Sequence, residues 1–170
     1  MVDSFTQKDL TTGSDNVAIG REALDSAVTG TSNVAIGVSA LSSLTTGSNN
    51  VAIGVSAGLA LTTAGYSVLI GNAGLNLTTG EYNVAIGASA LELATSGQNN
   101  VAIGQGALLN LTTGSDNVAV GRLALTSAST GTLNVALGLR SGNNISSGSR
   151  NICIGEGALD AFITGSNNIG

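Results

Sequence analysis

The chain has 170 residues, of which 25 are Gly and none is Pro, His or Trp; only 9% are charged, against a usual share of about a quarter. Because the chain has no histidine, catalysis by an imidazole and metal ligation by an imidazole are both excluded. Apolar residues still make up 42% and the net charge is only −5, which excludes charge-driven disorder. The five basic residues are scattered and form no cluster that could contact phosphates, so we expect no nucleic-acid partner.

The first ten residues contain no apolar segment of the kind found in secretory signals, and we expect no signal peptide in this chain. No run reaches the ~18 apolar residues that a membrane-spanning helix needs, so we also expect no membrane insertion. The single cysteine, Cys153, allows no disulfide within the chain.

A five-residue box, Asn-Val-Ala-Ile-Gly, recurs along the whole chain, and this repeat dominates the interpretation. Successive boxes are 17 residues apart except for one step of 16, between Ser67 and Asn83. We place the missing residue at Asn76, which stands alone between Leu75 and Leu77 where other repeats have two residues. Complete boxes start at Asn16, Asn33, Asn50, Asn83 and Asn100, and close variants start at Ser67, Asn117, Asn134 and Asn151.

The Val-Ala-Ile run has a β-branched residue at each end and is bounded by Asn and Gly, which indicates a short strand. Such a strand cannot bury its own apolar face, but coils stacked in parallel about 4.8 Å apart give every strand a partner. The sequence therefore predicts an all-β fold, a parallel β-solenoid or β-roll of about nine 17-residue coils. We assign residues 11–170 to this solenoid, truncated inside its last repeat, and residues 1–10 to an N-terminal lead or cap.

Two columns of the aligned repeats have expected structural roles. The Asn of each box is expected to form a ladder of amides that bond to the turns above and below. The Gly that ends each box is expected to form a corner with a positive φ. The ladder contains Asn16, Asn33, Asn50, Asn83, Asn100, Asn117, Asn134 and Asn151, and the corners are Gly20, Gly37, Gly54, Gly71, Gly87, Gly104, Gly121, Gly138 and Gly155.

A third column, of alanines, is the candidate oligomer face. Residues alternate across a strand, so Val17 and Ile19 point one way and Ala18 the other, although all three are apolar. The Ala column either approaches another surface or lines a cramped interior, and its almost unbroken stripe of small side chains favours the first. We expect self-association through this column, most simply as a homotrimer around the rod axis. The candidate face contains Ala18, Ala35, Ala52, Ala85, Ala102, Ala119 and Ala136.

The repeats resemble those of known fibres. The box Asn-x-Ala-Ile-Gly-x-x-Ala-Leu is complete at residues 33–41 and 83–91, within units such as TTGSNNVAIGVSA at residues 45–57. These units are similar to the head repeats of trimeric autotransporter adhesins, which are typically shorter, and still more to repeats of bacteriophage tail fibres and other virion or injection-system fibres. The resemblance covers residues 11–170. It implies a left-handed roll assembled as an intertwined or side-by-side homotrimer.

Little in the sequence points to catalysis or to a cofactor. The acidic residues do not recur in successive repeats, as a calcium-binding roll would require, and no histidine is present to activate a serine or threonine. Adjacent threonines such as Thr45 and Thr46 are expected to point in opposite directions, which disfavours an ice-binding face of paired hydroxyl rows. We expect no enzyme activity, no metal and no cofactor.

The leading hypothesis is a non-enzymatic structural or adhesive fibre segment, extracellular on a virion, an injection system or a cell surface. A bacterial surface adhesin head is the alternative, and an ice-binding solenoid or a ligand-free repeat scaffold ranks lower. Contact with a surface receptor or glycan would fall on the turn position that varies between repeats. This position contains Asp15, Ser32, Asn49, Tyr66, Tyr82, Asn99, Asp116, Leu133 and Arg150.

Overall fold

A computed structural model describes residues 13–26, 29–161 and 164–170. Nine three-residue strands form a single parallel sheet whose order follows the sequence, and no helix occurs in these ranges. The predicted fold class, an all-β parallel solenoid, is confirmed. The strands are β1 (Val17–Ile19), β2 (Val34–Ile36), β3 (Val51–Ile53), β4 (Val68–Ile70), β5 (Val84–Ile86), β6 (Val101–Ile103), β7 (Val118–Val120), β8 (Val135–Leu137) and β9 (Ile152–Ile154).

Every strand pairs in register with its neighbours, because each repeat places the same residue at the same height of the ladder. In the pair β6–β7, for example, Val101 lies opposite Val118 and Ala102 opposite Ala119. Residues 1–10, assigned above to a lead or cap, lie outside the described ranges. Within those ranges there is no helix long and apolar enough to cross a membrane.

The core is a narrow column of small and medium aliphatic side chains enclosed by the coils. In the third coil it contains Ala52 from the strand, Ala57 from the corner and Leu61 from the next segment, all with no exposed area. Most other coils add a leucine directly after the corner alanine, as Leu41 does after Ala40. No aromatic side chain is buried among the described residues, since so narrow an interior is filled by aliphatic groups alone.

The short repeat loses its residue at the corner after β4, and our placement of the gap at Asn76 is wrong. The amide of Gly74 donates to the carbonyl of Ala90, just as the amide of Leu91 donates to that of Ala107. Gly74, rather than Leu75, is therefore the counterpart of the buried leucines. The two corner residues that other coils have, such as Val55 and Ser56, are here replaced by Asn72 alone.

The side chain of Asn72 replaces the backbone group that the deletion removes. In the coils with a full corner the second corner residue donates its amide to the coil before, as Ser56 does to the carbonyl of Val38. The short corner has no such residue, and Asn72 donates its Nδ2 to the carbonyl of Val55 at 3.1 Å instead. The carbonyl thus keeps a partner despite the missing residue.

A size exchange in the core accompanies the short repeat. Leu69 stands where the other strands have Ala or Cys, and it is fully buried. The leucine position after the corner is glycine on both sides of it. A Cβ added at Gly58 would lie 2.7 Å from Cδ1 of Leu69, and one at Gly74 would lie 3.0 Å from Cδ2. The Leu69 side chain thus extends into space that the leucines after the corner occupy in other coils, and glycine on both sides leaves room for it.

We expect Leu69→Ala to destabilise the chain by about 2–5 kcal/mol, since it leaves a cavity between two glycines. Adding Gly58→Leu and Gly74→Leu should recover most of this loss, because Leu41 and Leu91 occupy the same position at φ 50° and 55°, close to the 61° and 62° of the two glycines. Denaturant midpoints of the three proteins measure the effect. Gly58→Leu with Leu69 retained is the control and should destabilise through overpacking; equal stability of the single and triple variants would contradict the exchange.

Candidate functional site

The asparagine side chains form a largely buried ladder beside the sheet. Asn100 donates its backbone amide to Oδ1 of Asn83 at 3.0 Å, and its Nδ2 donates to that oxygen at 3.2 Å and to the Gly114 carbonyl at 3.0 Å. Its own Oδ1 accepts the backbone amide and Nδ2 of Asn117. Because each amide bonds both to the turn and to the neighbouring coil, no described buried side-chain nitrogen or oxygen lacks a partner.

Ser67 replaces one asparagine of the ladder, but the hydrogen bonds that the backbone amides donate along the ladder are kept. Its amide donates to Oδ1 of Asn50 at 3.0 Å, and its hydroxyl accepts the amide of Asn83 at 3.2 Å. A hydroxyl is too short to replace the bond from Nδ2 to the turn. Serine therefore keeps the two backbone-amide bonds of the ladder but loses both bonds that an asparagine Nδ2 donates, one to the turn and one to Oδ1 of the preceding asparagine. Its hydroxyl donates to the Gly65 carbonyl at 3.5 Å.

Replacing a ladder asparagine should destabilise the fold more, the fewer hydrogen bonds the new side chain can still make. Asn100→Ala leaves the Gly114 carbonyl and the Asn117 amide without the side-chain partners they have now, at roughly 1–3 kcal/mol for each buried group. We expect Asn100→Ser, which copies the arrangement at Ser67, to destabilise clearly less in urea denaturation. The ladder would lose its assigned role if the two variants were equally stable.

The glycine that ends each box provides the corner at which one coil passes closely over the next. Gly104 has a φ of 125°, and a Cβ at this position would lie 2.7 Å from the backbone of Gly121. Both the backbone conformation and the close approach require glycine. The corner column is therefore structural and offers no side chain to a ligand.

The Ala column, expected to be an oligomer face, lines the interior instead. Ala35, Ala52, Ala85, Ala102, Ala119 and Ala136 have no exposed area, and Ala18 in the first strand is half-buried. The interior has room for one small residue here beside the leucines of the corner, which is why Leu69 is accompanied by Gly58 and Gly74. A second chain cannot reach these side chains, so the prediction that they form the contact face is wrong.

The strand side chains that point outward are the valines and isoleucines, and we call their two columns the outer Val/Ile face. In all nine strands these positions are partly or fully exposed; Ile53 is 38% exposed and Ile154 60%. The face contains Val17, Val34, Val51, Val68, Val84, Val101, Val118, Val135 and Ile152 in one column and Ile19, Ile36, Ile53, Ile70, Ile86, Ile103, Val120, Leu137 and Ile154 in the other. It is apolar throughout. The sequence analysis placed the oligomer face on the Ala column, but the exposed apolar surface is this one.

The variable turn position lies at the N-terminal border of the outer Val/Ile face, one residue before the ladder asparagine. All of its residues from Asp15 to Arg150 are exposed, with φ between 56° and 61°. Tyr66 and Tyr82 are neighbours here and stack with ring centroids 5.1 Å apart and an interplanar angle of 10°. The tyrosines are 56% and 50% exposed, so the pair forms an aromatic projection at one height of the rod.

The described residues offer little for catalysis. No group of three or more potential metal-ligating side chains occurs among them. One row of hydroxyls is used internally, as when Thr62 donates its Oγ1 to the carbonyl of Thr78. The adjacent row, which includes Thr63 and Thr79, is exposed. Residues of the first row are partly or fully exposed as well, as Thr95 is, but their hydroxyls already donate to carbonyls of the next coil.

Cys153 replaces an alanine of the inner column. Its side chain has no exposed area, and burial raises the pKa of the thiol above its ordinary value. The neighbouring coil makes room for the sulfur, because a Cβ at Gly142 would lie 3.1 Å from Sγ. The residue is thus a core residue and no nucleophile.

A comparison of the chain with protein-family models, with curated proteins and with solved structures finds no match.

Cys153 should react with a thiol reagent in mildly alkaline buffer roughly tenfold or more slowly in the folded chain than in the urea-unfolded chain, since burial and a raised pKa both lower the accessible thiolate. Absorbance of the released chromophore follows the reaction. The inner position of this column would be contradicted if both forms reacted at one rate.

Proposed function

We propose that the chain is a non-enzymatic segment of a fibre shaft, and that copies of it associate side by side through the outer Val/Ile face. The carrying observation is that this face runs over all nine strands without one polar side chain in its two columns. At about 4.8 Å per strand and about 10 Å across, it covers roughly 400 Å² per copy, a size at which apolar patches on soluble proteins are often functional.

The proposed occupant of the face is a second copy of the chain. A copy has the same spacing between coils, so each of its strands can meet an equivalent strand along the whole length, and a repeated column suits a closed symmetric assembly. Three copies around the rod axis are the simplest such arrangement. Each copy would then bury its valines and isoleucines against both neighbours and leave the turns outside.

The remaining parts of the proposal rest on the resemblance of these repeats to fibre repeats. The shaft would be extracellular on a virion, an injection system or a cell surface, and its exposed turns would be available to a surface receptor or glycan. The parallel ladder and the internal hydrogen bonds of the Asn column support stiffness, which is what such a shaft requires. A bacterial adhesin head uses the same features and remains the alternative.

We expect Ile103→Glu to reduce the mass of the particle in solution to that of one chain, 16.5 kDa, because a carboxylate on the outer Val/Ile face cannot be buried between copies. Thr113→Glu is the matched control, since it adds the same charge at an exposed position away from this face. Light scattering gives the mass, and circular dichroism verifies that both variants retain the fold. Unchanged mass in the Ile103 variant would contradict the assignment of the face.

Ala102→Glu should behave differently from Ile103→Glu, although the two positions are adjacent. Ala102 has no exposed area, so the carboxylate would enter the core and the strand signal in circular dichroism should be lost. If the Ala102→Glu chain folds but fails to associate, the Ala column is the contact face and the assignment to the outer Val/Ile face is contradicted.

A further inference from the structure

The outer Val/Ile face has one difficulty as an interface, which is that it repeats. If one copy slides along another by one coil, every remaining strand again meets an equivalent strand, and only one strand of nine loses its contact. Hydrophobic contact alone therefore discriminates poorly between registers. An assembly with a single register needs a feature that occurs at one height only.

The short repeat, residues 67–82, is such a feature, and it alters both borders of the outer Val/Ile face. At the N-terminal border the stacked Tyr66 and Tyr82 project. At the C-terminal border the corner is one residue shorter, with Asn72 in place of two residues. Tyr66 and Asn72 lie on either side of β4, so the projection and the shortened corner occur at the same height.

The tyrosine pair is what distinguishes this height of the N-terminal border. The backbone does not, because Leu133 and Arg150 occupy the same turn position with φ of 59° and 57°, and the tyrosines have 59° and 58°. The two rings stack on each other but remain about half exposed. An exposed stacked pair thus leaves a large aromatic surface available for a contact outside the chain.

We propose that the short repeat sets the axial register between copies, with the tyrosine pair of one copy against the shortened corner of its neighbour. In a parallel cyclic assembly the N-terminal border of each outer Val/Ile face adjoins the C-terminal border of the next. When the copies are level, a projection meets a shortened corner at every such border. A slip by one coil in one direction places both tyrosines against full corners; a slip in the other direction brings Tyr82 to the shortened corner and places Tyr66 against the full corner of the third coil. This inference rests on the proposed self-association.

The chemistry of the two borders is complementary. Asn72 is exposed, and its Nδ2 is engaged with the carbonyl of Val55. Its Oδ1 makes no hydrogen bond within the described chain and is available as an acceptor. A tyrosine hydroxyl is a donor that can reach beyond the edge of an apolar contact. The pair can thus add a directional bond to a contact that is otherwise only hydrophobic.

The test compares the wild-type chain with Tyr66→Asn/Tyr82→Asn, which places the residue of neighbouring coils at both positions and suits their positive φ. Light scattering of the wild type should give one mass, a small multiple of 16.5 kDa that does not change with concentration. In the double variant, copies joined out of register leave parts of their faces uncovered and recruit more chains, so the mean mass should rise with concentration and the mass distribution broaden.

Two further variants sharpen the comparison. Inserting Ser between Asn72 and Ala73 rebuilds the full corner and should broaden the distribution as the double variant does. Leu93→Asn is the control: it removes an exposed apolar side chain away from the outer Val/Ile face and installs the residue found at the equivalent Asn76 and Asn110, so it should keep the wild-type mass. Circular dichroism and urea denaturation verify that each chain is folded.

The outcomes separate this inference from the proposed function. A wild-type chain of 16.5 kDa would overturn both. A discrete wild-type assembly whose mass is unchanged in both the double variant and the insertion variant would overturn only the role of the short repeat. Broadening in the Leu93 control equal to that in the tyrosine variant would also overturn it, because the effect would then be one of surface polarity in general.

Discussion

The structure depends on the close stacking of equivalent residues, each lying directly above the one 17 positions earlier, or 16 positions earlier across the short repeat. This spacing turns every sequence column into a physical row: strand on strand, amide on amide, glycine on glycine. It also fixes the width of the interior, because the backbone of each coil must follow that of the next. The scarcity of aromatics and the high glycine content both follow from that narrow interior and its close corners.

Opposite changes in side-chain size explain how the interior accommodates the irregular repeat. Leu69 enters the core only because Gly58 and Gly74 withdraw two side chains, and Cys153 is accompanied by Gly142 in the same way. The missing corner residue is likewise replaced by one hydrogen bond from Asn72. Each deviation is thus compensated within the adjacent coils, and the sheet passes through the short repeat without losing its register.

Much of the fold could be predicted from the sequence, because identical residues that recur at one period stack on one another in a solenoid. The solenoid, the role of Asn100 and the corner at Gly104 belong to that class. Which side of the strand faces inward could not be read in this way, since Val, Ala and Ile are all apolar. The sequence does contain one signal for the inward side: Leu69 replaces an alanine of the strand column where Gly58 replaces a leucine of the corner column. Such a coupled change in size indicates that the two columns pack against each other. The gap was misplaced because Leu75 fits the leucine column by counting, while the backbone hydrogen bond of Gly74 does not allow it.

Because the alanines line the interior, the proposed function depends on the outer Val/Ile face, through which copies of the chain would associate. The most direct test is the molar mass of the wild-type chain in dilute solution, measured by light scattering over a range of concentrations. For side-by-side association of three copies we expect a stable species of three times 16.5 kDa. A folded chain that stays at 16.5 kDa at every concentration would contradict it.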